Sequence, residues 1–146
     1  IQDIAEAYGL FDITTGSLVS YPHPFRIVTL ETRDDGELWL EVESARVESV
    51  PGWDHLPDRS REWMAERSPP FMRRLLIDAA FDLSDEEIEA YLPELRYFWA
   101  DIAQGDSVLD FPRLPPQVRA YCESFGARSS QGAIACHDNH IALRLT

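Results

Sequence analysis

The chain changes its apolar periodicity twice, and this change most limits the folds open to it. Residues 10–50 read as short alternating strands, Asp58 to Phe125 place apolar residues three and four apart, and Ala133 to Leu145 alternate again. Alternation marks a half-buried strand, and three-four spacing marks a helix with one buried stripe. The order predicts an α+β domain with a largely antiparallel sheet, built from N-terminal hairpins and a C-terminal hairpin. A central block of about four helices is expected to pack on one face of that sheet. No repeat, linker or low-complexity tract divides the chain, and 146 residues suit one domain over 1–146.

Turn chemistry places the strands. Leu10–Ile13 and Ser17–Tyr21 flank Thr14-Thr15-Gly16, which predicts a first hairpin with Gly16 at positive φ. Phe25–Thr32 and Glu37–Val50 flank Arg33-Asp34-Asp35-Gly36, which predicts a second. Pairing Arg33 with Glu37 puts Val28, Leu30, Leu38, Leu40 and Val42 on an inner face and Thr29, Glu31, Trp39, Glu41 and Glu43 on an outer one. The apolar parity shifts near Ser44, which predicts a β-bulge there. Pro22-His23-Pro24 reads as a rigid connector between hairpins.

Asp58 is expected to cap a short helix ending at Arg67, and Ser68-Pro69-Pro70 to start another. The second would carry Phe71, Met72, Leu75, Leu76, Ala79 and Ala80 as one apolar stripe. Ser84-Asp85-Glu86-Glu87 is a capping-box pattern, and Pro93 predicts a break near Tyr91–Leu92 in the helix that follows. Pro115-Pro116 opens a last helix with Val118, Tyr121, Cys122 and Phe125 inward, stopped by Gly126. Asp138-Asn139 suits a two-residue turn joining Ala133–His137 to His140–Leu145.

Charge excludes several functions. The chain carries 13 basic and 26 acidic residues for a net charge of −13, and every basic residue is Arg. A chain this acidic is unsuited to direct contact with nucleic-acid backbones or to an anionic membrane surface. Without Lys, Schiff-base and P-loop lysine chemistry are excluded, and a GC-rich genome accounts for the preference for Arg. No apolar run approaches the roughly 18 residues of a spanning helix, and no signal peptide is visible. Two cysteines, Cys122 and Cys136, do not make a disulfide framework, so a reducing cytoplasm is expected. The chain opens on Ile1 rather than Met, as a trimmed or processed chain or a piece of a longer one would.

Three constellations stand out. Glu31, Asp34, Asp35, Trp39, Glu41 and Glu43 would form an acidic sheet face with one Trp, suited to a basic protein partner. Arg59, Arg61, Arg67, Arg73 and Arg74 fall in one helical region, where salt bridging to nearby carboxylates competes with a binding role. Arg73 and Arg74 could build an anion or ligand pocket with Trp53, His55 and Trp63 as neighbours. His137 and His140 flank the last turn and form a weak candidate metal pair that lacks a third ligand, so no metal and no cofactor is expected. Cys122 and Cys136 read as buried thiols rather than nucleophiles. None of the familiar catalytic or nucleotide-binding motifs is present. The expectation is therefore an acidic, non-catalytic interaction protein, such as a bacterial inhibitor or immunity-type protein covering a basic toxin or nuclease. The alternative is a small enzyme or ligand-binding domain with a His-, Arg- and Trp-lined pocket between sheet and helices.

Overall fold

The structure, a computed structural model, describes residues 3–7 (backbone), 10–127 and 138–145. Its elements run β1 (Asp3–Ala7), β2 (Leu10–Thr14), β3 (Pro24–Thr32), β4 (Leu38–Arg46), α1 (Leu56–Asp78), α2 (Asp85–Tyr91), α3 (Phe98–Ala103), α4 (Pro116–Glu123) and β5 (His140–Arg144). Strands β3, β4 and β5 form an antiparallel sheet in that order, and β1 and β2 pair separately. The architecture is α+β. No helix among the described residues is long and apolar enough to cross a membrane.

The β3–β4 hairpin closes on Gly36, which sits at φ 82 and donates its amide to the Arg33 carbonyl, while the Arg33 amide donates to Glu37. The register follows, with Leu30 opposite Leu40 and Val28 opposite Val42. It continues unbroken to Pro24 opposite Arg46, so the bulge expected near Ser44 is absent. A polar pair takes up the change of parity instead: Ser44 lies opposite Arg26, whose guanidinium donates to the Ser44 hydroxyl.

The first hairpin differs from expectation. β2 pairs with the upstream β1, Ile4 opposite Ile13, and Ser17–Tyr21 forms turns rather than a strand. Gly16 does not take the positive φ that a hairpin at Thr14-Thr15-Gly16 would need. β5 joins the edge of β4, Ile141 opposite Val42 and Leu143 opposite Leu40. The expected strand Ala133–His137 lies outside the described residues.

Helix α1 runs 23 residues straight through Pro69 and Pro70, where two separate helices were expected. Proline in a helix interior removes an N–H donor and costs about 3 kcal/mol. Burial on one face both before the prolines (Ala65) and after them (Met72, Leu76) holds the two halves on a common axis. α2 begins with the expected capping box, Ser84 accepting from the Glu87 amide and Glu87 accepting from the Ser84 amide, and it ends ahead of Pro93.

The buried apolar cluster is drawn from the helical half: Met72 and Leu76 of α1, Ile88 of α2, Phe98 and Ile102 of α3, Val118 and Cys122 of α4, with Leu95, Leu109, Phe111 and Leu114 between them. Sheet residue Val42 is buried, but Val28 and Leu30 across from it on edge strand β3 are each 61% exposed, a correction to the inner face expected for them. Sheet and helices are tied by a polar clasp. Asp106, in the left-handed conformation, accepts from the Asp138 amide at 2.7 Å and the Asn139 amide at 3.2 Å, and its own amide donates to the Asp138 carboxylate at 3.0 Å. The Ser44 amide donates to the Asn139 carbonyl, and Arg46 donates to the Gln104 carbonyl.

Phe98 is fully buried and stacks edge-on or tilted against Trp99, Phe111 and Phe125. Phe98→Ala is therefore expected to lower unfolding free energy by about 3–5 kcal/mol in urea denaturation. A loss under about 1 kcal/mol would contradict this placement of the core.

Candidate functional site

A groove of about 1220 Å³ runs along α1, and its far wall is the loop between β2 and β3. That wall is pinned by His23, in the left-handed conformation at φ 57, whose ring nitrogens lie 3.1 Å from the Leu18 carbonyl and 2.8 Å from the Ser60 hydroxyl. The Pro22-His23-Pro24 connector is thus also a tether to the helix. Ser60 and His23 have the spacing of a nucleophile and base, but the hydroxyl has one hydrogen to give and the Leu56 carbonyl lies 2.5 Å away to accept it. The pair holds the loop on α1 rather than preparing a nucleophile.

A second support is the turn Val50-Pro51-Gly52-Trp53. Pro51 suits its second position, Gly52 supplies φ 82 at its third, and the Trp53 amide donates to the Val50 carbonyl. It sets Trp53 at the mouth of the groove. Along α1 the lining repeats every four residues: Asp58-Arg59-Ser60, Glu62-Trp63-Met64, Glu66-Arg67-Ser68. Successive helix residues are about 100° apart, so in each triplet the middle residue lies between an outer acid and an inner small or apolar residue. Phe71 continues the middle row.

Val19, Trp53, Trp63 and Phe71 are each 60% or more exposed, an unusual concentration of bare apolar surface around one groove. The Arg67 guanidinium lies over the Trp63 ring at 3.8 Å. Neither Arg59 nor Arg67 has a carboxylate partner among the described residues, whereas Arg61 is held by Asp101, Arg96 by Glu62 and Arg113 by Glu94. Two polar groups on the groove lining are buried without any hydrogen-bond partner, the Ser68 hydroxyl and the Trp99 indole N–H, and Ser68 is only 2% exposed. Burial raises the Tyr21 phenol above its ordinary value, against the opposing pull of Arg61 and Arg46, so the groove's one tyrosine is neutral at pH 7.

The nominated residues distribute unevenly. Trp53 and Trp63 do come together in the groove. His55 sits at the α1 N-cap, and its side chain does not border the groove. Arg73 is held by Asp85 and Glu89, and Arg74 by Asp78, so neither guanidinium is left for an anion. On the sheet, Arg33 pairs with Glu31 and lies over Trp39, while Glu37 receives Trp39 and Arg144. β5 brings His140 opposite Glu43 and 2.9 Å from Glu41, so the candidate acidic face is interleaved with Arg33, Arg144 and an imidazole. Asp34 and Asp35 stand in the exposed turn, with Asp35 accepting from the Glu37 amide. The ligating atoms of Glu41, Glu43 and His140 lie within 4.8 Å of one another, the only such cluster among the described residues. The His140–Glu41 pairing accounts for that approach without an ion, and His137 lies outside the described residues.

Reading the sequence missed Val19, Arg59, Ser68, Phe71 and Trp99 as groove residues. The four-residue repeat at 58, 62 and 66, inside the helix expected over Asp58–Arg67, was the available signal, and splitting α1 at Ser68 separated Phe71 from it. Phe71, expected in the core stripe, is instead on the groove side, about 100° around the helix from the buried Met72.

Comparison with protein-family models, curated proteins and solved structures finds no match to this chain.

Cys122 is a free thiol buried in the helical core, where desolvation pushes it up to about 11. Its folded value is above its unfolded one, so its contribution to stability is complete at neutral pH and erodes only as pH climbs from the ordinary thiol range toward about 11. Iodoacetamide at pH 8 should leave Cys122 unmodified in the native protein and modify it in urea, as read by peptide mass mapping. Native modification at the unfolded rate would contradict its burial.

Proposed function

We propose that this is a non-catalytic binding domain that holds a protein partner in the groove along α1. The supporting observation is the exposed aromatic lining itself: Trp53, Trp63 and Phe71, with Arg67 stacked on Trp63, in one concave surface. Exposed apolar patches of this kind mark interaction sites, and Trp and Arg are the residues that most often carry binding energy in them. The groove is larger than the common range of about 300–1,000 Å³ for small-molecule pockets and open to solvent, which favours a segment of a protein over a metabolite. An inhibitor or immunity-type role, as expected from the charge, is a special case of this reading with the groove as the contact. A reducing, cytoplasmic setting suits the free Cys122.

Panning random dodecapeptides displayed on phage against the protein tests this. Recovered peptides should bind the Trp63→Ala variant at least tenfold more weakly, and Trp63 is exposed, so the variant should keep its fold. Peptides indifferent to Trp63→Ala, or no enrichment at all, would count against the groove as the binding surface.

A further inference from the structure

Resting on that reading, we propose that the segment received in the groove is apolar and carries a single carboxylate, an Asp or Glu side chain or a C-terminus, which Arg67 holds beside the Trp63 ring. In a chain with a net charge of −13, Arg73 is matched to two carboxylates and Arg33, Arg61, Arg74, Arg96, Arg113 and Arg144 to one each, while Arg26, Arg46 and Arg119 donate to backbone carbonyls. Arg59 and Arg67 are unmatched, and both border the groove. The Arg67 guanidinium also lies over the Trp63 ring at 3.8 Å, a cation–π contact that leaves its N–H groups for an incoming acceptor. A planar fork held in advance is the geometry that receives a carboxylate with two parallel hydrogen bonds.

A second observation points to the same kind of ligand. The Ser68 hydroxyl and Trp99 indole N–H border the groove, are buried, and have no partner. A buried donor left unsatisfied is costly, and few are retained in native structures without a reason. Both atoms are closed off from solvent in the free protein, so an occupant's oxygen acceptors reach them only as the Ser68 and Trp99 side chains turn toward the groove. The walls set the rest of its chemistry. Val19, Trp53, Trp63 and Phe71 require apolar side chains, and the outer row of Asp58, Glu62 and Glu66 repels a segment with acids at several positions. One acid among apolar residues fits; a uniformly acidic segment does not.

The probe is the set of dodecapeptides recovered on the wild-type protein, resynthesised with each acid replaced by its amide and a free C-terminus by a carboxamide. The proposal expects one acid per peptide whose replacement weakens binding tenfold or more, and expects Arg67→Gln to erase that difference. Arg67→Lys, which keeps the charge but loses the fork, should recover only part of it. Ser68→Ala separates function from structure: it should raise the denaturation midpoint by removing an unsatisfied hydroxyl, yet weaken the acid-bearing peptides several-fold. Trp63-dependent peptides that are basic, lack an acid, or bind Arg67→Gln undiminished overturn this proposal and leave the groove reading intact. So does a Ser68→Ala variant that is stabilised and binds unchanged. Peptides indifferent to Trp63→Ala, no recovered peptides, or a concentration-dependent dimer abolished by Trp63→Ala, overturn it by removing or refilling the groove itself.

Discussion

The structure depends on one long helix being buried on one side and bare on the other. α1 presents Ala65, Met72 and Leu76 to the helical core and Trp63, Arg67 and Phe71 to the groove. Two adjacent prolines at its middle would ordinarily end it, at about 3 kcal/mol each. Fully burying a Met or Leu side chain contributes roughly 1.5–3 kcal/mol, and such burial on both sides of the prolines opposes the break. Because the helix stays whole, Ser68 and Phe71 continue the four-residue rows that begin at Ser60 and Arg59. Had it broken at Ser68, those rows would diverge and Phe71 would leave the groove.

Charge is distributed around this helix with more discrimination than a net value conveys. Arginines on the outer side of the helical block reach carboxylates of neighbouring elements, as Arg73 reaches Asp85 and Glu89 and Arg61 reaches Asp101. These pairs are largely exposed, and each adds little stability. Their effect is to remove those guanidinium groups from any binding role, leaving Arg59 and Arg67 as the cations of the groove. On the sheet the same neutralisation works against the acidic face, since Arg33 pairs with Glu31 and β5 delivers Arg144 to Glu37.

Where local chemistry decides, the sequence was legible. Gly36 and the alternation around it specify the β3–β4 register, Ser84 and Glu87 specify the start of α2, and Pro93 ends that helix. Where two local signals compete, tertiary pairing chose. The turn signal at Gly16 predicted pairing of Leu10–Ile13 with Ser17–Tyr21, but pairing with Asp3–Ala7 left Gly16 in an ordinary conformation. Pro69-Pro70 is a good helix start taken alone, and only burial on both sides keeps it interior. The site was half legible for the same reason. Trp53 and Trp63 could be nominated by type and neighbourhood, but which arginines stay free depends on carboxylates 12 and 16 residues away from Arg73. That information lies in the packing of α2 against α1.

The central claim is that the working surface is the groove and not the acidic sheet face, and the four tryptophans divide cleanly between them. Trp53, Trp63 and Trp99 border the groove, while Trp39 stands on the sheet with Arg33 over its ring. Their indole N–H resonances, followed by nitrogen-15 NMR while a recovered peptide is titrated in, report on both surfaces at once. The account predicts that the Trp53, Trp63 and Trp99 signals move to saturation together and that Trp39 stays in place. A titration that moves Trp39 and leaves the groove tryptophans unchanged would contradict it.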